Sequence, residues 1–505
     1  MQETNENVAA IDIGANFIRM TIAGISPNGN INIIDNLQKN TSIGRDTFNF
    51  KRIKAESVRS TCDILKGFVN VMNDYGVKSY LAICTSGIRD AENKEYIIEQ
   101  IRMKTGLKVK IINNAEERFF MLKAIKSKLS KENAAFNSGT AVLNIGSGGI
   151  EFYIFENGKL KATNYLDMGA LRIGETFSEI EKDNLDFGNV LEEYVNSKII
   201  NLKSYLINLK IDNFVVLGGE LKFILKLHKE GCFIDKAWMN SFYAEVKKMT
   251  VGNLADKYEI PLRQAKVLLP NVVILSQFLK LTRAKGIYVL GSSLRDGMLI
   301  DLSHKKLKKI GQNTFKGDII NSVWVIGKKY GIDMAHARRI KKLALKIFDS
   351  TLEIHTLCNR ERLFLEVAAT LHDAGNYVNV NRHFIYSYDI INYEQIIGFS
   401  DRERAILANV VMYHEELIPS FNEWNYVNLS YEDKIVVSKL SAILKLAESL
   451  DISQKGKIKE LNIELCESEA YFDIFSQSDC TLEKWSFNKN ASFFEEVMGA
   501  KPIIR

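Results

Sequence analysis

A unit of strand, glycine turn and second strand occurs twice in this chain, and that repeat restricts the fold more than any other feature. Ile11-Asp12-Ile13-Gly14, followed by Phe17 to Ile25, returns as Leu143-Asn144-Ile145-Gly146, followed by Gly149 to Phe155. Such self-similarity predicts two related lobes whose glycine turns face each other across a cleft. Two more turns, Leu217-Gly218-Gly219 and Leu290-Gly291-Ser292-Ser293, follow strand-like runs (Asn213 to Val216, Ile287 to Leu290) and are expected at the same cleft. Short β-branched runs alternate with helical patterns over the first 300 residues, the mark of α/β layering. Expected strands include Val8 to Ile13, Asn30 to Asp35, Ser79 to Cys84, Lys108 to Ile112 and Ala141 to Ile145, and expected helices Arg52 to Tyr75 and Glu116 to Leu129.

From Ser303 to Lys316 the sequence turns basic and polar, as a linker would, and after it the apolar period becomes 3.6. Ile319 to Tyr330, Ala335 to Ser350, Glu361 to His372, Asp401 to Tyr413 and Tyr431 to Leu450 predict amphipathic helices and an all-α domain. Strands return in Leu461 to Leu465 and Glu469 to Ile474. The expected domains are therefore 1–130, 131–302, 303–455 and 456–505, in keeping with 505 residues at about 100 to 200 per domain.

Composition narrows the class. With 46% hydrophobic and 25% charged residues, disordered, collagenous and coiled-coil chains are excluded. No run approaches the roughly 18 apolar residues of a membrane span, and the polar start, with two Glu, is not a secretory signal. Cys62, Cys84, Cys232, Cys358, Cys466 and Cys480 stand singly, which suggests neither a zinc knuckle nor a disulfide framework, so a soluble cytoplasmic protein is expected. A net charge of +6 favours an anionic ligand without demanding nucleic acid, and Lys305 to Lys309 reads as solvated linker.

A strand ending in Asp-x-Gly puts a carboxylate beside exposed backbone N–H groups, a concavity suited to phosphate oxygens. One such turn is more simply a tight turn. Four, two of them duplicated, favour phosphate binding.

The chain resembles the exopolyphosphatase and guanosine pentaphosphate phosphohydrolase (Ppx/GppA) family of the actin-like superfamily. Ala10-Ile11-Asp12-Ile13-Gly14-Ala15-Asn16-Phe17-Ile18-Arg19 is similar to its first phosphate loop, with Ala15 and Phe17 in place of two serines. Cys84-Thr85-Ser86-Gly87-Ile88-Arg89-Asp90-Ala91 resembles the block whose arginine faces substrate, here Arg89. Ile111-Ile112-Asn113-Asn114-Ala115-Glu116-Glu117 resembles the segment carrying the proposed catalytic base, here Glu117. Glu116-Glu117 at a helix start is equally the pattern of plain helix-dipole complementation. Leu143 to Glu151 is similar to the second loop, with Glu151 keeping the final carboxylate. Met168-Gly169-Ala170-Leu171-Arg172 and Leu294-Arg295-Asp296-Gly297 match further signatures.

The resemblance implies two actin-like (ribonuclease H-like) lobes around a cleft, then an all-α HD-like domain and a small C-terminal α+β segment. It implies release of terminal orthophosphate from polyphosphate, with guanosine pentaphosphate or tetraphosphate as related ligands; a homodimer is expected because dimers are the commonest assembly. Mg²⁺ (or Mn²⁺) would be held by Asp12, Asn144 and Glu151. Phosphate would be bound by Gly14, Ala15, Asn16, Gly146, Ser147, Gly148, Gly149, Gly218 and Gly219. Several positions depart from the family: Asn144 replaces an acid, Gly149-Ile150 a Ser-Thr pair, and Glu220 a Thr. These leave a second expectation open, a catalytically weakened or inactive polyphosphate- or alarmone-binding regulator. In the helical part His336, His372-Asp373 and Glu448 follow the ligand order of HD-type phosphohydrolases, a set that suits Mn²⁺, Fe or Zn²⁺. A metal-free scaffold that extends the substrate channel is the other reading, and the resemblance favours it.

Overall fold

The computed structural model describes residues 5–129, 138–183, 186–206, 210–218, 221–228, 231–307, 315–415 and 417–505. They form two compact units, Met1–Asp318 and Ile319–Arg505.

The first unit holds two sheets. In one, β1 (Glu6–Ile13), β2 (Phe17–Ile25) and β3 (Ile31–Asn40) make an antiparallel meander, joined in parallel to β1 by β4 (Ser79–Cys84) and then β5 (Val109–Ile111), in the order β3-β2-β1-β4-β5. The other repeats this plan with β6 (Gly139–Ile145), β7 (Ile150–Glu156), β8 (Lys159–Leu166) and the parallel β9 (Ile211–Leu217). Beyond β9 comes β11 (Gly286–Val289), parallel to it, and β10 (Phe233–Asp235) forms the antiparallel edge. The repeat extends to single atoms: the Gly14 N–H donates to Phe17 O at 3.0 Å, and the Gly146 N–H to Gly149 O at 2.9 Å.

β1 is buried from Val8 to Ile13 because helices cover both faces of its sheet. Ala9, Ile11 and Ile13 pack against Val58, Cys62 and Leu65 of the helix Ala55–Asp74. Val8 and Ala10 face the other way, towards Met298 and Leu299 of the helix Leu294–Lys306. With a strand period of two, Asp12 continues this second series and emerges where that helix begins. The start is fixed by a capping box, in which Asp296 Oδ2 accepts the Ser293 N–H at 2.7 Å. Gly297 permits close approach to the helix Asn114–Leu129, since a Cβ there would come within 1.9 Å of Phe120 O.

Two sequence expectations change here. The boundary at 302 falls inside the helix Leu294–Lys306, which returns to the first lobe's sheet, and the expected linker is still helical from Ser303 to Lys306. The rest of that linker lies largely outside the described residues. The apolar stripe of a sheet-packing helix, ending in His304-Lys305-Lys306 at its negative pole, was masked in the sequence by that basic composition.

In the second unit the helices Met334–Ser350, Asn359–Leu371, His383–Tyr393, Asp401–Met412 and Tyr431–Ser449 pack together. A sheet of β12 (Ile458–Cys466), β13 (Glu469–Ser476) and β14 (Lys501–Ile504) follows. The helix Thr481–Met498 crosses between the parallel β13 and β14 and lies on Tyr431–Ser449. No helix among the described residues is long and apolar enough to cross a membrane.

Candidate active site

The two glycine turns of the first unit wall a cavity of about 510 Å³. Asp12, Gly14, Ala15 and Asn16 line it from one lobe, and Asn144, Gly146, Ser147, Gly148, Gly149, Glu151 and Gly218 from the other. Glu117 joins them, while Gly219 and Glu220 lie outside the described residues.

Three carboxylates converge there. Asp12 is 7% exposed; its Oδ1 is buried without a hydrogen-bond partner, and its Oδ2 stands 3.8 Å from Arg19 Nη1. Burial pushes its pKa up against the pull of Arg19 and Arg295. Glu151 is 2% exposed; its Oε2 accepts from Asn144 Nδ2 at 3.0 Å and lies 3.0 Å from the Tyr153 hydroxyl, while Oε1 is buried without a partner. Burial, and next the charge of Glu117, raise its pKa well above the ordinary range. Asn144 thus spends its amide N–H on Glu151, so only its amide oxygen can ligate a cation.

Glu117 sits in the first turn of the helix Asn114–Leu129. Burial raises its pKa, and Arg89 opposes this. The adjacent Glu116 does the helix-end work: its Oε2 accepts the Asn113 N–H at 3.1 Å and its own N–H donates to Asn113 Oδ1 at 2.8 Å. The helix-end reading of Glu116-Glu117 therefore falls to Glu116.

Arg89 is placed differently from the expectation that it faces substrate. Its Nη1 donates to Glu117 Oε2 at 2.8 Å and to Ile112 O at 3.0 Å, and it does not line the cavity. It ends the short helix Ser86–Arg89, whose direction carries the guanidinium behind Glu117. Among the described residues, the cations that line the cavity are Arg19 and Arg295. Arg19 also donates through Nε to Gln38 Oε1 at 2.8 Å.

The expected phosphate loops are partly committed to structure. The N–H groups of Gly14 and Gly146 close their own turns, so they are not donors to a ligand. Asn16 Oδ1 accepts from Arg263 Nε at 3.0 Å, a tie between the lobes that also reaches Thr41 O at 2.6 Å. The departure at Gly149 has a steric cause, since a Cβ there would meet the Tyr165 hydroxyl at 2.2 Å; the neighbouring Gly148 is confined likewise, with Ser86 Oγ at 2.0 Å from a Cβ. Ile150 is fully buried, and Ala15 fills the space left by Gly44 and Gly87. Tyr165, on β8 opposite Glu151, has a buried hydroxyl without a partner and was not anticipated, because β8 itself was not.

In the second unit the four expected residues meet. His336 Nε2 lies 3.3 Å from Glu448 Oε1 and 3.8 Å from Asp373 Oδ2; His372 Nε2 lies 3.2 Å from Glu448 Oε2 and 3.6 Å from Asp373 Oδ2. His383 and His414 belong to the same cluster.

A three-strand meander on a parallel half-sheet, duplicated about a cleft, defines the actin-like class. A sequence model of the Ppx/GppA phosphatase family matches residues 21–306, and one of Ppx/GppA phosphatase domain III matches residues 320–490; the chain belongs to this family. It is similar to the guanosine-5'-triphosphate,3'-diphosphate pyrophosphatase of Aliivibrio fischeri, at 19% identity over 480 residues, 90% of this chain and 91% of that protein. It is 30% identical over 175 residues to the bifunctional 3-dehydroquinate synthase/phosphatase of Fusobacterium nucleatum, covering 34% of this chain and only 26% of that protein. Among solved structures, an exopolyphosphatase from Cytophaga hutchinsonii superposes with a TM-score of 0.52 at 18% identity, over 59% of this chain and 98% of the other.

Proposed function

We propose that the chain hydrolyses terminal phosphoanhydride bonds, releasing orthophosphate from inorganic polyphosphate and from guanosine pentaphosphate. One observation carries this reading: Asp12 Oδ1, near the end of β1, and Glu151 Oε1, near the start of β7, are each buried without a partner, and both residues line the same cavity from different lobes. Uncompensated buried carboxylates are costly, so the pair fits a divalent cation. Asp12, Glu151 and the amide oxygen of Asn144 would hold Mg²⁺ or Mn²⁺, both hard enough for an all-oxygen set. Bound there, the ion supplies charge neutralisation of phosphate oxygens and eases attack by water.

The chain's own groups do the rest. Arg89 fixes Glu117 Oε2, which leaves Oε1 to take the proton of the attacking water. Arg19 and Arg295 face the cavity as counter-charges for the anionic chain. The reading also draws on relatives named for pyrophosphatase and exopolyphosphatase activity.

A second reading, a ligand-binding regulator, is favoured by Asn144 and by Tyr165, whose ring fills the place a Gly149 side chain would take. The test is phosphate release from long-chain polyphosphate and from guanosine pentaphosphate with Mg²⁺ or Mn²⁺, in the wild type and in Asn144→Asp. Hydrolysis predicts release by the wild type, with a higher rate or a lower Mg²⁺ requirement in the variant, because an acid binds a hard cation better than an amide. Tight polyphosphate binding without release by either protein would establish the regulator instead.

A further inference from the structure

The second unit carries a histidine cluster that the cleft chemistry does not use. His336, His372, His383 and His414 are 1%, 0%, 6% and 2% exposed. Each has its Nδ1 committed: His336 to Asp451 Oδ2 at 2.8 Å, His372 to Ala369 O at 3.1 Å, His383 to Val380 O at 3.1 Å and His414 to Val411 O at 2.6 Å. Carbonyl and carboxylate oxygens only accept, so all four Nδ1 atoms carry hydrogen, and each neutral ring presents an Nε2 lone pair.

Those four Nε2 atoms converge. His383 Nε2 and His414 Nε2 stand 3.1 Å apart, a contact between two lone pairs that needs a positive charge beside it. His336 Nε2 and His372 Nε2 are buried and make no hydrogen bond, although a Glu448 oxygen lies near each. Protons on single rings could relieve single contacts. Charging both His336 and His372 would put two buried cations in rings 5.4 Å apart.

Asp373 joins the two pairs. Its Oδ2 faces His336 and His372 at 3.8 and 3.6 Å, and its Oδ1 faces His383 at 3.3 Å. Glu415 Oε1 lies 3.6 Å from His383 Nε2. The turn that carries Asp373 is clamped: Ser387 Oγ accepts the Gly375 N–H at 2.7 Å and donates to His372 O at 2.6 Å. Gly375 is required there, because a Cβ would come within 2.0 Å of His383 O.

We propose that this cluster binds two divalent first-row transition-metal ions, one at His336, His372 and Glu448 and the other at His383, His414 and Glu415, with Asp373 bridging them. Three features agree: convergent Nε2 atoms, a carboxylate with one oxygen towards each pair, and an outer oxygen holding every Nδ1–H, the arrangement that orients metal-bound imidazoles. Mixed imidazole and carboxylate donors select Mn²⁺, Fe²⁺, Co²⁺ or Zn²⁺ over Mg²⁺. None of these residues lines the cavity of the first unit.

The experiment is elemental analysis of the purified full chain, stripped with chelator, loaded with Mn²⁺, Co²⁺ or Zn²⁺ and dialysed, in an Asp12→Asn background that weakens the cleft. Two ions per chain are expected with at least one of these metals. His383→Ala should retain one, and His372→Ala one or none. A wild-type cluster that retains no ion overturns the site, and one that retains a single ion overturns the pair. Circular dichroism identifies variants that fail to fold, and the wild-type stoichiometry decides without them.

Discussion

At the scale of single residues the decisive pair is Glu117 and Arg89. Burial is the largest influence on the Glu117 carboxyl and raises its pKa from the ordinary value of 4.5; the charge and hydrogen bond of Arg89 pull the other way. A raised pKa keeps the base protonated to higher pH, so the acid limb of kcat/KM should lie above 4.5. Arg89→Met removes the opposing cation, and that limb should move to still higher pH; Arg89→Lys should move it less. A limb that stays in place in Arg89→Met would show that Glu117 is not the titrating base. The three acids were legible through the resemblance to the family's motifs, Asp12 and Glu151 from its two loops and Glu117 from the segment of its proposed base, since a helix start alone reads Glu116-Glu117 as dipole complementation. The aim of Arg89 was not, since the same residue type at the end of a four-residue helix can point into the cleft or behind its base.

At the scale of elements, the contact between the β6–β7 turn and β8 explains a departure that looked like decay. Gly149→Ser would drive a Cβ into the Tyr165 ring, with its hydroxyl at 2.2 Å and Cζ at 2.3 Å, an overpacking worth about 1–3 kcal/mol. In a Tyr165→Ala background the same change should cost much less, a coupling readable by urea unfolding of the four proteins. Additive effects would contradict the contact. β8 escaped the sequence because Lys159-Leu160-Lys161-Ala162-Thr163-Asn164-Tyr165-Leu166 is an edge strand with few deeply buried positions and a weak apolar alternation. β10 and β14, of three and four residues, are too short to show a period. The helix His383–Tyr393 is aromatic-rich and lacks a clear apolar stripe, so the cluster built on His383 and His414 was visible only in part.

At the scale of the whole molecule, the chain joins two units that gather different side chains: a cleft of carboxylates and arginines, and a histidine cluster in a helical unit. The duplicated lobes were legible because the repeat of strand, glycine turn and strand is local in sequence. The return of Leu294–Lys306 to the first lobe's sheet was not, because it depends on packing against β1, far away in the chain. The central claim, that the cleft activates water through Glu117, is tested most directly by phosphate release from long-chain polyphosphate in Mg²⁺, with wild type and Glu117→Gln compared at equal occupancy. Loss of the general base predicts turnover lower by about 10² to 10⁴ fold with polyphosphate binding retained. Equal turnover in the two proteins would contradict the account.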